Sequence, residues 1–174
     1  AALEWNNPGT LGGLTPPQKL MAALFQSVTL RTAGFATFDQ NALSDVSKAV
    51  ADFLMLIGGS SGSTAGGVKT VTMGLVILSA VSTMRGRRQV TVFRRSISQQ
   101  DISNAVSVAL LVLGLSLFGA AVLTVCDRCS FLNAIYETTS ALCTVGLTTG
   151  ITGTLCAASK LILIVFMFFG RVGI

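Results

Sequence analysis

Apolar runs along this chain are interrupted by short polar, glycine-rich stretches, with few charged loops between them. The clearest run, 102–125, holds 24 residues without a charge. At about 1.5 Å of rise per residue, such a helix crosses a hydrocarbon core of about 30 Å. Two shorter runs, 50–57 and 71–81, flank 58–67, which reads GGSSGSTAGG. Each is too short to span alone. Together they predict one helix, 45–84, broken in its middle. Pro16 and Pro17 open a short helix over 16–29, since proline is accepted in the first turn. A glycine-containing turn at 30–35 follows it. The same sequence of elements recurs after the long run: a short helix at 131–142, a turn at 143–150, and an apolar helix from 158.

Composition makes this a membrane pattern. The chain is 51% hydrophobic and 11% charged, with a mean hydropathy of +0.73. Soluble domains carry about 25% charge. Period-2 barrel segments are absent, so the class is all-α. The net charge of +5 is concentrated in Arg85, Arg87, Arg88, Arg94 and Arg95. Between two apolar spans, such a cluster reads as a cytoplasmic loop beside membrane lipid and not as a nucleic-acid patch. With no histidine and no nucleophile–base pairing, no enzyme is expected. The start without Met and the end at Ile174 inside an apolar run predict a piece of a longer multi-span protein.

An internal repeat gives the architecture. A shift of 112 residues places Leu30 on Leu142, Thr32 on Thr144, Gly34 on Gly146 and Thr37 on Thr149. Without a gap it then places Ser47 on Ser159, Lys48 on Lys160, Met55 on Met167 and Gly58 on Gly170. The predicted unit is membrane helix, pore loop, membrane helix. The two units run parallel, and both pore loops open outward.

The paired turns, Thr32-Ala33-Gly34-Phe35 and Thr144-Val145-Gly146-Leu147, carry the candidate chemistry. Ion filters replace hydration water with backbone carbonyls. Glycine accepts the positive φ that aims successive carbonyls into one lumen. A short helix ending at such a turn presents its partly negative end, which favours a cation. The alternative is a pair of ordinary interhelical turns, and the matching context argues against it. Non-helical backbone at membrane depth is tolerated where protein buries it or where it lines a cavity, which makes 58–67 a candidate site or gate. The repeat puts Arg171 level with Gly59 at the mouth of that stretch. Its alternative is a helix-end arginine snorkelling to the surface.

Other motifs carry less. Gly62, Gly67, Lys69 and Thr70 resemble a phosphate loop, but Val68 separates glycine from lysine and no parallel sheet surrounds them. Lys69 is expected at the loop carbonyls or the cytosolic surface. Asp52 and Glu137 are intramembrane acids, for which pairing and conduction are both open. Cys126 and Cys129 lack the further ligands of a zinc site, leaving free thiols or an external disulfide.

RTAGF at 31–35, IGGSSGSTAGGVKT at 57–70, CTVGLTTG at 143–150 and FFGRVG at 168–173, with EWNNPGT at 4–10, make the chain resemble the Ktr/Trk/HKT superfamily of potassium transporters, in particular the bacterial Ktr-type membrane subunit. Such proteins have four helix–pore–helix units around one pore. The resemblance implies that 1–100 is part of the third unit: outer linker, pore helix 16–29, filter 31–35, broken helix 45–84 and cytoplasmic loop 85–95. It makes 101–174 the fourth unit: helix 102–125, pore helix 131–142, filter 143–150 and helix 158–174. Gly34 and Gly146 then match filter glycines that go with potassium. Gly58, Gly59, Ser60, Ser61, Gly62, Ser63, Thr64, Ala65, Gly66 and Gly67 match the gating loop, with Lys69 after it and Arg171 beside it. The ligand is potassium held by filter carbonyls, with sodium as a candidate co-transported ion. The expected partners are a second copy of the subunit and a cytosolic ring of nucleotide-binding regulatory subunits. Two other readings stand beside this one. A carrier for another cation or solute, with the loop as its binding site, predicts inverted repeats. A scaffold predicts no flux.

Overall fold

The computed structural model describes every residue except 1, 61, 63, 64, 87–90, 93, 94, 173 and 174. Ser61, Ser63 and Thr64 of the expected gate, and Arg87, Arg88 and Arg94 of the basic loop, lie outside the described residues.

Six α-helices are described: α1 (Pro16–Thr29), α2 (Asp45–Leu56), α3 (Thr70–Met84), α4 (Gln99–Asp127), α5 (Phe131–Leu142) and α6 (Ala157–Val172). Two short strands, β1 (Thr91–Val92) and β2 (Arg95–Ser96), pair antiparallel in the basic loop. The all-α expectation omitted this hairpin. Among the described residues one helix, α4, is long and apolar enough to cross a membrane; α3 is apolar but shorter.

The helix limits follow local chemistry. Gln18 reaches back to accept from the Thr15 backbone N–H and closes the start of α1. Ser44 and Ser98 cap α2 and α4 through their hydroxyls. Helix α5 is the centre of the fold and packs on α2, α4 and α6. From Tyr136 to Leu142 every residue of it is buried. Helix α4 approaches it closely because its contact face is small. Ser116 and Ala120 are buried there, and Thr138 Oγ1 donates to the Ser116 carbonyl at 3.0 Å. Gly119 extends that face, where a Cβ would strike the Phe166 ring.

Two carboxylates tie the N-terminal ends of α2 and α6. Glu4 accepts from the Ser44 N–H at 3.0 Å and from the Ser44 and Ser47 hydroxyls at 2.6 Å each. Asp127 accepts from the Cys156 N–H at 2.6 Å and from the Ser159 hydroxyl. Ser44 and Cys156, like Ser47 and Ser159, stand 112 positions apart. Lys19 completes the anchoring of the N-terminal loop, donating to the Trp5 carbonyl at 2.7 Å and lying over its ring.

Burial opposes ionisation of Glu4, but hydrogen bonds from Ser44, Ser47 and Asn7 outweigh it and hold its carboxyl at about 2, against an ordinary 4.5. A depressed carboxyl contributes stability above its unfolded value and loses it as pH falls through the folded one. Glu4→Gln is therefore expected to lower stability at neutral pH by about 1–3 kcal/mol. The variant should also lose the part of the acid destabilisation that falls between pH 4.5 and about 2. Thermal melts of the detergent-solubilised protein at pH 7 and pH 3 check this. An equal deficit at both pH values would refute it.

Candidate functional site

The turns that follow α1 and α5 share one backbone conformation. Thr32 and Gly34 have φ of 65° and 79°; Thr144 and Gly146 have φ of 54° and 91°. Ala33 and Val145 between them keep ordinary negative φ. Alternating signs turn successive carbonyls toward one side. A β-branched threonine at positive φ is strained by about 1–3 kcal/mol. The same strain at both turns marks a site where backbone geometry outranks local comfort. The sequence places both threonines and both glycines in the paired turns, but the expectation of positive φ falls on the glycines alone; the left-handed threonines are a finding of the structure.

Hydroxyls at the ends of the preceding helices hold both turns. Thr29 Oγ1 donates to the Phe35 carbonyl at 2.6 Å and accepts from the Phe35 N–H at 2.8 Å. Ser140 Oγ donates to the Leu147 carbonyl at 2.6 Å and accepts from the Gly146 N–H at 3.2 Å. The carbonyls just before these clamps, at Thr32, Ala33, Gly34, Thr144, Val145 and Gly146, accept no hydrogen bond from any described residue. Backbone carbonyls away from water need a partner, so six acceptors are available in two matched turns.

The two turns meet. A Cβ built on Gly34 would collide with the Val145 carbonyl oxygen, and one on Gly146 would lie 3.9 Å from the Gly34 Cα. Beside the second turn is a recess of about 500 Å³, lined by Glu137, Ser140, Thr144, Gly146, Thr148 and Met167 among others.

The glycine-rich stretch reaches these turns. Its neck is closed by a parallel bridge between Ile57 and Val68, with Gly58 N–H donating to the Val68 carbonyl at 2.8 Å and Val68 N–H to the Leu56 carbonyl at 3.1 Å. Parallel pairing means that the chain leaves the neck in the direction in which it entered, so the loop is a lateral excursion between α2 and α3. A Cβ on Gly58 would strike the Gly66 carbonyl, which accounts for glycine at the neck. Gly66 N–H donates to Thr144 Oγ1 at 3.1 Å, and the Gly67 Cα packs on Cys143. Across the site, the Arg31 guanidinium donates to the Ile57 carbonyl at 3.2 Å. The neck is thus tied to both turns, to one by Arg31 and to the other by Thr144.

The remaining expected residues are placed as follows. Ser60 lies on the loop, Gly59 accepts from the Thr70 N–H at 3.1 Å, and Gly62 is left-handed with φ of 87°. Ala65 is half-buried ahead of Gly66. Lys69 is the exposed residue at the start of α3. Arg171 is exposed in the last turn of α6, next to Gly170, whose Cα packs on the Leu142 carbonyl and the Thr144 methyl. Thr144 is therefore shared by the loop and α6. Asp52 is buried on the face of α2 that meets α5, and its Oδ1 has no hydrogen-bond partner. Lys48, one turn away, donates instead to Asn133 at 3.1 Å. All four cysteines are free thiols, so no Cys126–Cys129 disulfide is formed, and no metal cluster occurs among the described residues.

Comparison with known proteins follows the same lines. The TrkH family of cation transport proteins matches residues 10–174. The chain is 42% identical over 171 residues to the Ktr system potassium uptake protein B of Bacillus subtilis, and 34% identical over 171 residues to that of Vibrio alginolyticus. It is 37% identical over 161 residues to the potassium/sodium uptake protein NtpJ of Enterococcus hirae. These matches cover 98%, 98% and 90% of this chain, which spans 38%, 38% and 36% of the length of those relatives.

Proposed function

The chain belongs to the TrkH family of cation transport proteins, and from that premise we propose that it forms part of a membrane pore for potassium uptake. The observation that carries the proposal is the pair of facing turns, with strained threonines, left-handed glycines and six available carbonyls. Carbonyls so arranged replace the hydration shell of a permeating cation. The segment α1–turn–α2–α3 is then part of one helix–pore–helix unit and α4–α5–turn–α6 a second, divided near residue 100, with α1 and α5 as pore helices. Gly34 and Gly146 set the preference for potassium. The name of NtpJ keeps sodium in view as a second ion.

The loop 58–67 acts as the gate. Its attachment to Thr144 and its neck at Ile57 and Val68 support a barrier just beside the turns. Arg171, one residue past the glycine that packs on Thr144, adds a cationic barrier at the same level, and Lys69 faces the exit. The chain lies in the cell membrane among lipid, pairs with a second copy, and answers to a cytosolic nucleotide-binding ring near the arginine loop. A carrier for another cation keeps the same residues but needs no facing carbonyls.

Expression of the full-length protein in cells without their own potassium uptake tests this. Growth on low-potassium medium and uptake of a potassium tracer are expected. Protein in the membrane without either would end the proposal.

A further inference from the structure

We infer that Glu137 is a positioning residue for the second turn and helps set its potassium preference; this rests on the reading of that turn as an ion filter. Glu137 is 5% exposed, in the middle of α5. Its carboxylate sits behind the turn and gathers the chain that leaves it. Oε1 accepts from the Thr148 hydroxyl, from the Thr149 N–H at 2.9 Å and from the Thr149 hydroxyl at 3.3 Å. Oε2 accepts from the Thr152 hydroxyl at 2.9 Å. The Thr148 oxygen in turn accepts from the Gly150 N–H at 2.9 Å and lies 2.9 Å from that of Thr152.

Ser140 stands one turn further along α5 and clamps Gly146 and Leu147. Together, Ser140 and Glu137 fasten the chain from 146 to 152 onto one helix face. Donors to an ionised acceptor bind about twice as strongly as neutral pairs. The carboxylate is the strongest element of that fastening, and it accepts through both oxygens.

The first turn lacks this brace. A shift of 112 places Phe25 at the Glu137 position and Ala36 at the Thr148 position. Phe25 is 42% exposed, and the groups that hold that turn and the chain beyond it from the α1 side are neutral: the Thr29 hydroxyl on Phe35, and Gln26, which donates to Gln40, whose amide in turn donates to the Phe38 carbonyl. The two turns therefore share a backbone shape but differ in stiffness. A filter that separates potassium from sodium through carbonyl spacing depends on its stiffer wall.

In the full-length protein, potassium and sodium uptake are measured side by side at equal membrane levels. Glu137→Gln keeps the shape, removes the charge and replaces one of the two acceptor oxygens with an amide donor. It is expected to reduce the potassium-over-sodium preference roughly tenfold, chiefly by raising the KM for potassium. Thr148→Val removes one donor and keeps the carboxylate, with an expected loss of roughly threefold. Glu137→Asp keeps the charge and is expected to retain part of the preference. If Glu137→Gln lowers uptake of both ions in the same ratio, the residue only stabilises the fold and the inference fails. If Glu137→Gln does not reach the membrane, an unchanged preference in Thr148→Val overturns the inference instead. Gly146→Ser distinguishes the two failures. If it alters the preference while the Glu137 and Thr148 variants do not, only the brace is wrong; if none of them alters it, the filter reading falls.

Discussion

Gly34→Ala is expected to do more damage to potassium uptake than Gly146→Ala, although the two glycines occupy equivalent places in the sequence. Both have positive φ, which costs an L-residue about 1–2 kcal/mol. The space around them differs. A Cβ at Gly34 collides with the Val145 carbonyl oxygen, one of the six available acceptors. A Cβ at Gly146 finds its nearest neighbour, the Gly34 Cα, at 3.9 Å. Gly146→Ala therefore carries the backbone cost alone, and potassium uptake should fall about tenfold. Gly34→Ala adds overpacking of about 1–3 kcal/mol against the facing turn, and uptake should fall roughly a hundredfold. Serine at either position should also weaken the preference for potassium over sodium. Uptake kinetics for both ions, at matched membrane levels, check the order. Equal losses would mean that the turns do not face each other in the working protein.

Local signals made much of the fold legible. Pro16 and Pro17, the Ser44 cap and the glycines at 58 and 67 mark helix ends, and these need only neighbours in sequence to act. The spacing of 112 brought Gly34 and Gly146 into one comparison, and the structure sets them side by side. Partners across the fold were not legible. Ser44 and Ser47 find Glu4 some forty positions away, and Gly66 finds Thr144 across 78 positions. The hydroxyl clamps escaped the repeat as well. Thr29 aligns with Ala141 and Ser140 with Val28, so the two helices solve one problem with residues one register apart. Glu137 read as an isolated acid because its donors, three threonines, come from a turn whose path no local pattern dictates. Asp52 remained ambiguous for the opposite reason: nothing donates to its buried oxygen.

Loosening the loop is expected to raise flux, and Gly66 is the residue through which to do it. A Cβ there would lie 2.6 Å from Thr144 Oγ1 and 2.9 Å from the Cys143 carbonyl. Neither is the far end of a flexible chain, so the loop itself must yield. Gly66→Ala should break the bond from the Gly66 N–H to Thr144 and shift the loop away from the second turn. A neutral hydrogen bond is worth about 1 kcal/mol and the crowding about 1–3 kcal/mol, together a shift toward the open state of roughly thirtyfold at the least. Thr144→Val removes the same acceptor and also alters the turn, so it should raise flux while weakening preference. Removal of 60–65 leaves the neck at Ile57, Gly58, Gly67 and Val68 in place and should give the largest flux of the three. Tracer uptake at matched protein level separates these cases. A fall in flux with the protein intact in the membrane would make the loop part of the conduction path and not a barrier to it. In the gate reading, the loop is held to a filter residue by the hydrogen bond from Gly66 to Thr144, so that opening the gate also changes that part of the filter.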